Sequence, residues 1–146
     1  MRSLLNAGLS AEITAYVHYV LGTAAYSDRD FDTARLEYSL AATAGGPDTI
    51  TVAGKQSATA CLRAKGNYAA AILEYEAMIK QYPGFPEYCA EARYQIGDML
   101  YRQERYAEGQ TYFKQVLSAC PLTSWVPVAS EKIAEIDKTL ALEAAK

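Results

Sequence analysis

Arg29-Asp30-Phe31-Asp32-Thr33-Ala34-Arg35-Leu36-Glu37-Tyr38, Gly66-Asn67-Tyr68-Ala69-Ala70-Ala71-Ile72-Leu73-Glu74-Tyr75 and Glu104-Arg105-Tyr106-Ala107-Glu108-Gly109-Gln110-Thr111-Tyr112-Phe113 are three versions of one phrase. In each, an aromatic is followed three positions later by a small residue, and four beyond that by a second aromatic. The leading aromatics Phe31, Tyr68 and Tyr106 lie 37 and 38 residues apart. Self-similarity at a fixed period of about 20–50 residues marks units that each bury their apolar face only by stacking on neighbours.

Each phrase follows a helical segment and ends in a turn. In the third copy Ala92, Ile96, Met99 and Leu100 recur at the three- and four-residue steps of an amphipathic helix. That pattern breaks from Glu104 to Tyr106, and a second helix follows with Tyr106, Gly109, Tyr112, Phe113, Val116 and Leu117 on its apolar side. It ends at Cys120-Pro121, as the second copy ends at Gln81-Tyr82-Pro83-Gly84, because proline cannot continue the hydrogen-bond ladder. The first copy ends at Ala44-Gly45-Gly46-Pro47, with glycines suited to a left-handed cap. The small residues Ala34, Ala71 and Gly109 fall where paired helices must approach closely, with Gly22, Thr59 and Gly97 in the reciprocal place on the first helices. Residues from about 125 to 144 read as a final helix with Val128, Lys132, Ile133, Ile136, Leu140 and Leu142 in its stripe and charges outside it, the cap that a repeat stack needs. The expected fold is all-α: one domain over residues 1–146, an α-solenoid of three helix-turn-helix units at about 12–48, 49–85 and 86–123 plus the capping helix. Residues before Ser10 lack a period and are expected to be frayed or linker-like.

With 51% hydrophobic and 21% charged residues, the chain has a globular composition. The net charge of −3 is spread over mixed signs with no Lys/Arg run, so a nucleic-acid partner is not expected. No apolar stretch approaches the roughly 20 residues of a transmembrane helix, and the N-terminal Met1-Arg2-Ser3-Leu4-Leu5-Asn6-Ala7-Gly8-Leu9 has no long apolar run of a signal peptide. Cys61, Cys89 and Cys120 form no C-x-x-C pair and read as buried or half-exposed thiols, with a Cys89–Cys120 bridge as the alternative. Tyrosines number 12 against 3 phenylalanines, an excess that suits half-buried helix faces and contact surfaces.

On these spacings the chain resembles the tetratricopeptide repeat family. Gly22 and Ala34 are 12 residues apart, as are Thr59 and Ala71, and Gly97 and Gly109; Pro83 and Pro121 each lie 24 residues after Thr59 and Gly97. The periods exceed that family's unit of about 34 residues, so three or four residues are expected as insertions between units, around Asp48–Thr51 and Pro86–Cys89. Gln81-Tyr82-Pro83-Gly84-Phe85-Pro86-Glu87-Tyr88 and Glu91-Ala92-Arg93-Tyr94-Gln95-Ile96-Gly97 are similar to the longer-linker branch of the family. That branch includes bacterial lipoproteins of the outer-membrane barrel-assembly machinery and periplasmic division-coordination proteins. The resemblance therefore leans toward the bacterial periplasm or cell envelope, while the sequence itself leaves the compartment open.

The resemblance also implies a concave groove lined by the first helices. Carried onto this chain, its positions are Tyr16, Tyr19, Thr23, Tyr26 and Ser27; then Gln56, Ala60, Arg63 and Ala64; then Glu91, Tyr94, Asp98, Tyr101 and Arg102. Some of these tyrosines could equally pack between units. The family's clamp for a C-terminal carboxylate is absent, because Tyr19, Thr23, Ala60, Tyr94 and Asp98 stand at its positions. The expected function is a non-catalytic protein–protein interaction scaffold that binds a peptide or a partner protein in a tyrosine-rich groove. The alternative is a structural protein whose repeats stack on other copies into oligomers or filaments. No cofactor or metal site is expected: His18 is the sole histidine, without a ligand at the next turn, and Gly45-Gly46-Pro47 lacks the Lys-Ser/Thr of a phosphate loop. Glu74 with Glu76 and Glu131 with Glu135 read as solvated faces, and Ser27, Ser39 and Ser118 have no base other than His18. Nothing reads as an enzyme.

Overall fold

A computed structural model describes residues 10–146, which contain seven α-helices and no strand. The expectation for the residues before Ser10 lies outside the described residues. Helix α1 spans Ala11–Ser27 and opens on Ser10, whose hydroxyl accepts from the Ile13 N–H at 3.4 Å. Helix α2 spans Phe31–Thr43, and the Asp30 carboxylate accepts from the Thr33 N–H at 3.2 Å. Such caps satisfy N–H groups that a helix start leaves without partners. Helices α3 (Asp48–Ala64), α4 (Tyr68–Gln81), α5 (Pro86–Arg102), α6 (Tyr106–Ala119) and α7 (Val126–Ala144) complete the order. The all-helical repeat class read from the sequence is the one observed.

The same turn joins α1 to α2, α3 to α4 and α5 to α6. Two residues before each leading aromatic the backbone is left-handed, at Arg29 (φ 62°), Gly66 (φ 79°) and Glu104 (φ 61°). The next residue's N–H then reaches back five positions: Asp30 to the Ala25 carbonyl, Asn67 to Leu62 and Arg105 to Leu100, each at 2.9 Å. This is the double closure of a left-handed helix cap, for which glycine is the low-strain residue.

The expected insertions are not linkers. Residues 48–51 form the first turn of α3 and residues 86–89 the first turn of α5, so each first helix runs 17 residues against 13 or 14 for its second. Pro47 stands just before α3 and Pro86 is the first residue of α5. Proline's fixed φ and missing N–H suit a helix start, so the extra residues are recruited into helix rather than loop.

The chain groups into two compact units, up to Ala71 and from Ile72, with the boundary inside α4. In the first, Ala34, Tyr38, Ala58 and Cys61 form a buried cluster flanked by Tyr19, Ala25, Tyr26 and Phe31. Gly22 faces the Tyr38 ring so closely that a Cβ there would stand 2.7 Å from it. Gly54, which the spacing argument does not single out, lets α3 meet the α2 backbone: a Cβ would lie 2.9 Å from the Tyr38 carbonyl oxygen. The Arg35 guanidinium ties the same helices, donating to the Ala58 carbonyl at 3.0 Å.

In the second unit the core is Cys89, Ala90, Phe113, Val116, Cys120, Ala129 and Ile136. Gly97 and Gly109 face each other there. A Cβ on Gly109 would lie 2.9 Å from the Gly97 carbonyl oxygen, and one on Gly97 would lie 2.9 Å from the Phe113 ring. The buried side of α7 is Ala129, Ile133, Ile136 and Leu140. Val128 and Leu142, expected in the stripe, are 38% and 69% exposed, a correction that follows from the small Ala129 holding the inward position.

Two substitutions separate these constraints. Gly97→Ala should destabilise the fold by about 1–3 kcal/mol, the range for overpacking a filled contact. Glu104→Gly should stabilise it by up to about 1 kcal/mol, since it relieves left-handed strain on a side-chain-bearing residue. Denaturant midpoints of the two variants should move in opposite directions, and equal shifts would contradict both assignments.

Candidate protein-binding face

The repeat register sorts the first-helix residues into equivalent positions. Tyr19, Gln56 and Tyr94 are 37 and 38 residues apart, as are Tyr26, Arg63 and Tyr101. In the first unit Tyr16 is 61% exposed. The Tyr19 ring packs 5.2 Å from Tyr38, with its hydroxyl 3.4 Å from the Ser57 hydroxyl. The Tyr26 ring meets Phe31 edge-on at 5.1 Å, and the Tyr38 hydroxyl donates to Thr23 at 3.2 Å. Such ring pairs stabilise beyond their buried area by about 0.5–1.5 kcal/mol. Gln56 and Arg63 differ: the Gln56 Nε2 and the Arg63 Nε are buried and have no hydrogen-bond partner.

In the second unit the corresponding tyrosines turn toward the chain's own last helix. The Tyr94 ring lies 5.2 Å from Phe113 and 5.1 Å from Trp125. Tyr101 packs on Tyr106 at 5.3 Å, donates its hydroxyl to Glu135 at 2.7 Å, and carries the Lys132 ammonium 4.7 Å over its ring. The hydrogen bond to Glu135 raises the Tyr101 pKa and lowers that of Glu135, because it favours the protonated phenol and the ionised carboxylate. Arg102 donates to Asp98 at 2.9 Å, one helical turn apart. The structure thus places Tyr16, Tyr19, Tyr26, Gln56 and Arg63 in the first unit and Tyr94, Asp98, Tyr101 and Arg102 in the second.

Several polar ties escaped the sequence reading. His18 Nδ1 donates to the Glu37 carboxylate at 2.6 Å, with the His18 side chain 14% and the Glu37 side chain 4% exposed. Gln110 donates to Asp137 at 2.6 Å and to the Ile133 carbonyl at 3.1 Å, which fixes α7 on α6. Lys65 pairs with Asp32. Glu76, expected on a solvated face, instead accepts the Tyr112 hydroxyl at 2.5 Å. The one available signal was the period itself, which places Glu37 and Glu74 at the same position as Tyr112. The three cysteines are free and buried, and burial pushes the Cys61 thiol up to about 11. Among the described residues, no group of three or more His, Cys, Asp or Glu could hold a metal ion, and no helix is long and apolar enough to cross a membrane.

Residues 61–122 match the family model described as Tetratricopeptide repeat. That segment is similar to tetratricopeptide repeat sequence. It runs from the last turn of α3 through α6, so the match covers the second and third copies of the phrase. Tetratricopeptide repeats generally mediate protein–protein interactions and are typically non-catalytic scaffolds. No curated protein matches the chain.

The Tyr112–Glu76 bond sets an alkaline limit. The bond to Glu76, and then burial, push the Tyr112 hydroxyl up to about 12. A folded pKa above the unfolded value of about 10 means the stabilisation is complete below pH ~10 and is lost as pH rises toward ~12. Tyrosinate absorbance should show late-titrating tyrosines, one of which Tyr112→Phe removes. The same variant should flatten the fall in stability over that window, and an unchanged titration curve would contradict the assignment.

Proposed function

We propose that this chain is a non-catalytic interaction scaffold that holds a peptide or a helix of a partner protein against its first-helix residues. Tyr16, Tyr19, Tyr26, Gln56 and Arg63 supply that surface in the first unit, and Tyr94, Asp98, Tyr101 and Arg102 in the second. The carrying observation is the pair of orphaned donors, Gln56 Nε2 and Arg63 Nε. Native proteins leave few buried polar side-chain atoms without partners, because each costs about 1–3 kcal/mol of desolvation. Both donors sit in register with the tyrosines, and rotation of either side chain toward a bound peptide would give it a backbone carbonyl or an acidic side chain as acceptor. Tyrosines that are already packed hold their rings rigid, which lowers the entropy lost on binding. The resemblance to the longer-linker bacterial branch supports placing such a scaffold in the cell envelope.

A peptide display library panned on the purified chain supplies a ligand for the test. Gln56→Leu and Arg63→Met remove the donors while keeping most of the shape. Each should weaken a selected peptide by about tenfold or more, the scale of a lost hydrogen bond to a charged or buried group. Peptides that bind both variants as tightly as the original chain would remove this face from consideration.

One observation favours a second reading, self-assembly by stacking. Ile13, Tyr16 and Val20 of α1 are 49%, 61% and 37% exposed at helical spacing, an apolar stripe on the first described helix. Copies stacking through such a face without closing by symmetry would form open assemblies. Sedimentation velocity decides it: the reading predicts mass that rises with concentration and falls to monomer in Tyr16→Lys, and a concentration-independent monomer ends it.

A further inference from the structure

A cavity of about 140 Å³ opens in the second unit, between the end of α4, the start of α5 and the end of α6. Ile79, Pro83 and Pro86 give it apolar walls, Cys89 and Cys120 add two thiols, and Arg93 supplies the one charge. None of these residues belongs to the first-helix face described above.

The guanidinium of Arg93 is poorly matched. Its Nη1 donates to the Cys120 sulfur at 3.4 Å, a weak acceptor, and its Nε is buried without a partner. Among the described residues Arg93 makes no ion pair. Cys89 offers no anion either: its Sγ–H donates to the Tyr82 carbonyl at 3.1 Å, and burial raises its pKa.

The repeat register explains the vacancy. His18, Lys55 and Arg93 occupy one position of the repeat, 37 and 38 residues apart, so every unit carries a basic side chain there. Glu37, Glu74 and Tyr112 occupy another position at the same spacings. In the first unit His18 is satisfied by Glu37 at 2.6 Å. In the third unit a tyrosine stands where that carboxylate would be, and its hydroxyl is committed to Glu76. The basic residue is retained while its internal acid is gone.

We propose that the Arg93 cavity binds a carboxylate carried on a short aliphatic chain. The guanidinium fork matches a carboxylate in shape and charge, and an ion pair with it is of the strong, charge-assisted kind. The volume sets the size, since a cavity of about 150 Å³ takes a benzene-sized molecule. A carboxyl group with two to four carbons fits, either as a free small acid or as the last residue of a partner's chain.

The test titrates the full chain with sodium propionate and reads the Arg93 Nε–H resonance by NMR. The proposal expects a saturable shift in the millimolar range, absent in Arg93→Gln and retained in Lys114→Gln, whose exposed charge lies outside the cavity. Two acetylated tripeptides ending in valine, one with a free carboxylate and one amidated, identify the source. Free peptide binding at least about tenfold tighter than propionate assigns the site to a partner's C-terminus, and propionate binding as well as the peptide assigns it to a small acid. The wild-type resonance carries the test even where Arg93→Gln folds poorly. No saturable shift with either carboxylate, or amidated peptide binding as well as free, overturns the proposal.

Discussion

The rest of this structure depends on how closely the paired helices approach. In the second unit Gly97 and Gly109 bring backbone against backbone, and the Phe113 ring lies where a Gly97 side chain would be. In the first, Gly22 yields the same space to Tyr38. With the axes this close, a ring four residues past the small residue reaches the facing helix and is fully or almost fully buried, as Phe113 and Tyr38 are. Burying one such ring contributes about 1.5–3 kcal/mol, which is large beside the net stability of a small domain. The left-handed residue at each turn follows from the same constraint. A tight reversal is needed to return α2 and α6 at contact distance, and it is enforced even at Arg29 and Glu104, where the side chain makes it strained.

Close packing of this kind leaves two places for polar chemistry. One is the edge of the pair, where His18–Glu37, Arg35–Ala58 and Gln110–Asp137 tie helix to helix. The other is the first helices, taken unit by unit. There aromatic hydroxyls find partners within the chain, Tyr19 with Ser57 and Tyr101 with Glu135. The Gln56 Nε2 and the Arg63 Nε, at the equivalent positions of the middle copy, are buried without a partner.

The pairing of helices, their ends and their small contact residues were legible because each rests on local spacing: twelve residues from Gly97 to Gly109, a proline or glycine after each second helix. What a face packs against was not. The resemblance placed Tyr94 and Tyr101 on a groove wall, but it cannot say that Trp125, just before α7, and Lys132 and Glu135 of α7 come to meet them. The phase of α7 was misread for a related reason. Alanine contributes little to an apolar stripe by eye, yet Ala129 is fully buried and the larger Val128 is not. The inserted residues were misassigned because 48–51 and 86–89 were counted as additions to a linker, whereas the prolines beside them start helix.

Arg93 shows how divergence between copies can leave a site behind. Its lack of an acid does not reflect a shortage of carboxylates in the second unit, which has eleven, six of them being Glu76, Glu87, Asp98, Glu108, Glu135 and Asp137. Each of these is engaged: Glu76 with Tyr112, Glu87 with Ser124, Asp98 with Arg102, Glu108 with Arg105, Glu135 with Tyr101, and Asp137 with Gln110. Any of them drawn to Arg93 would leave its present partner without an acceptor. A carboxylate from outside the chain carries no such penalty, and the cavity beside Arg93 is where its carbon chain would lie.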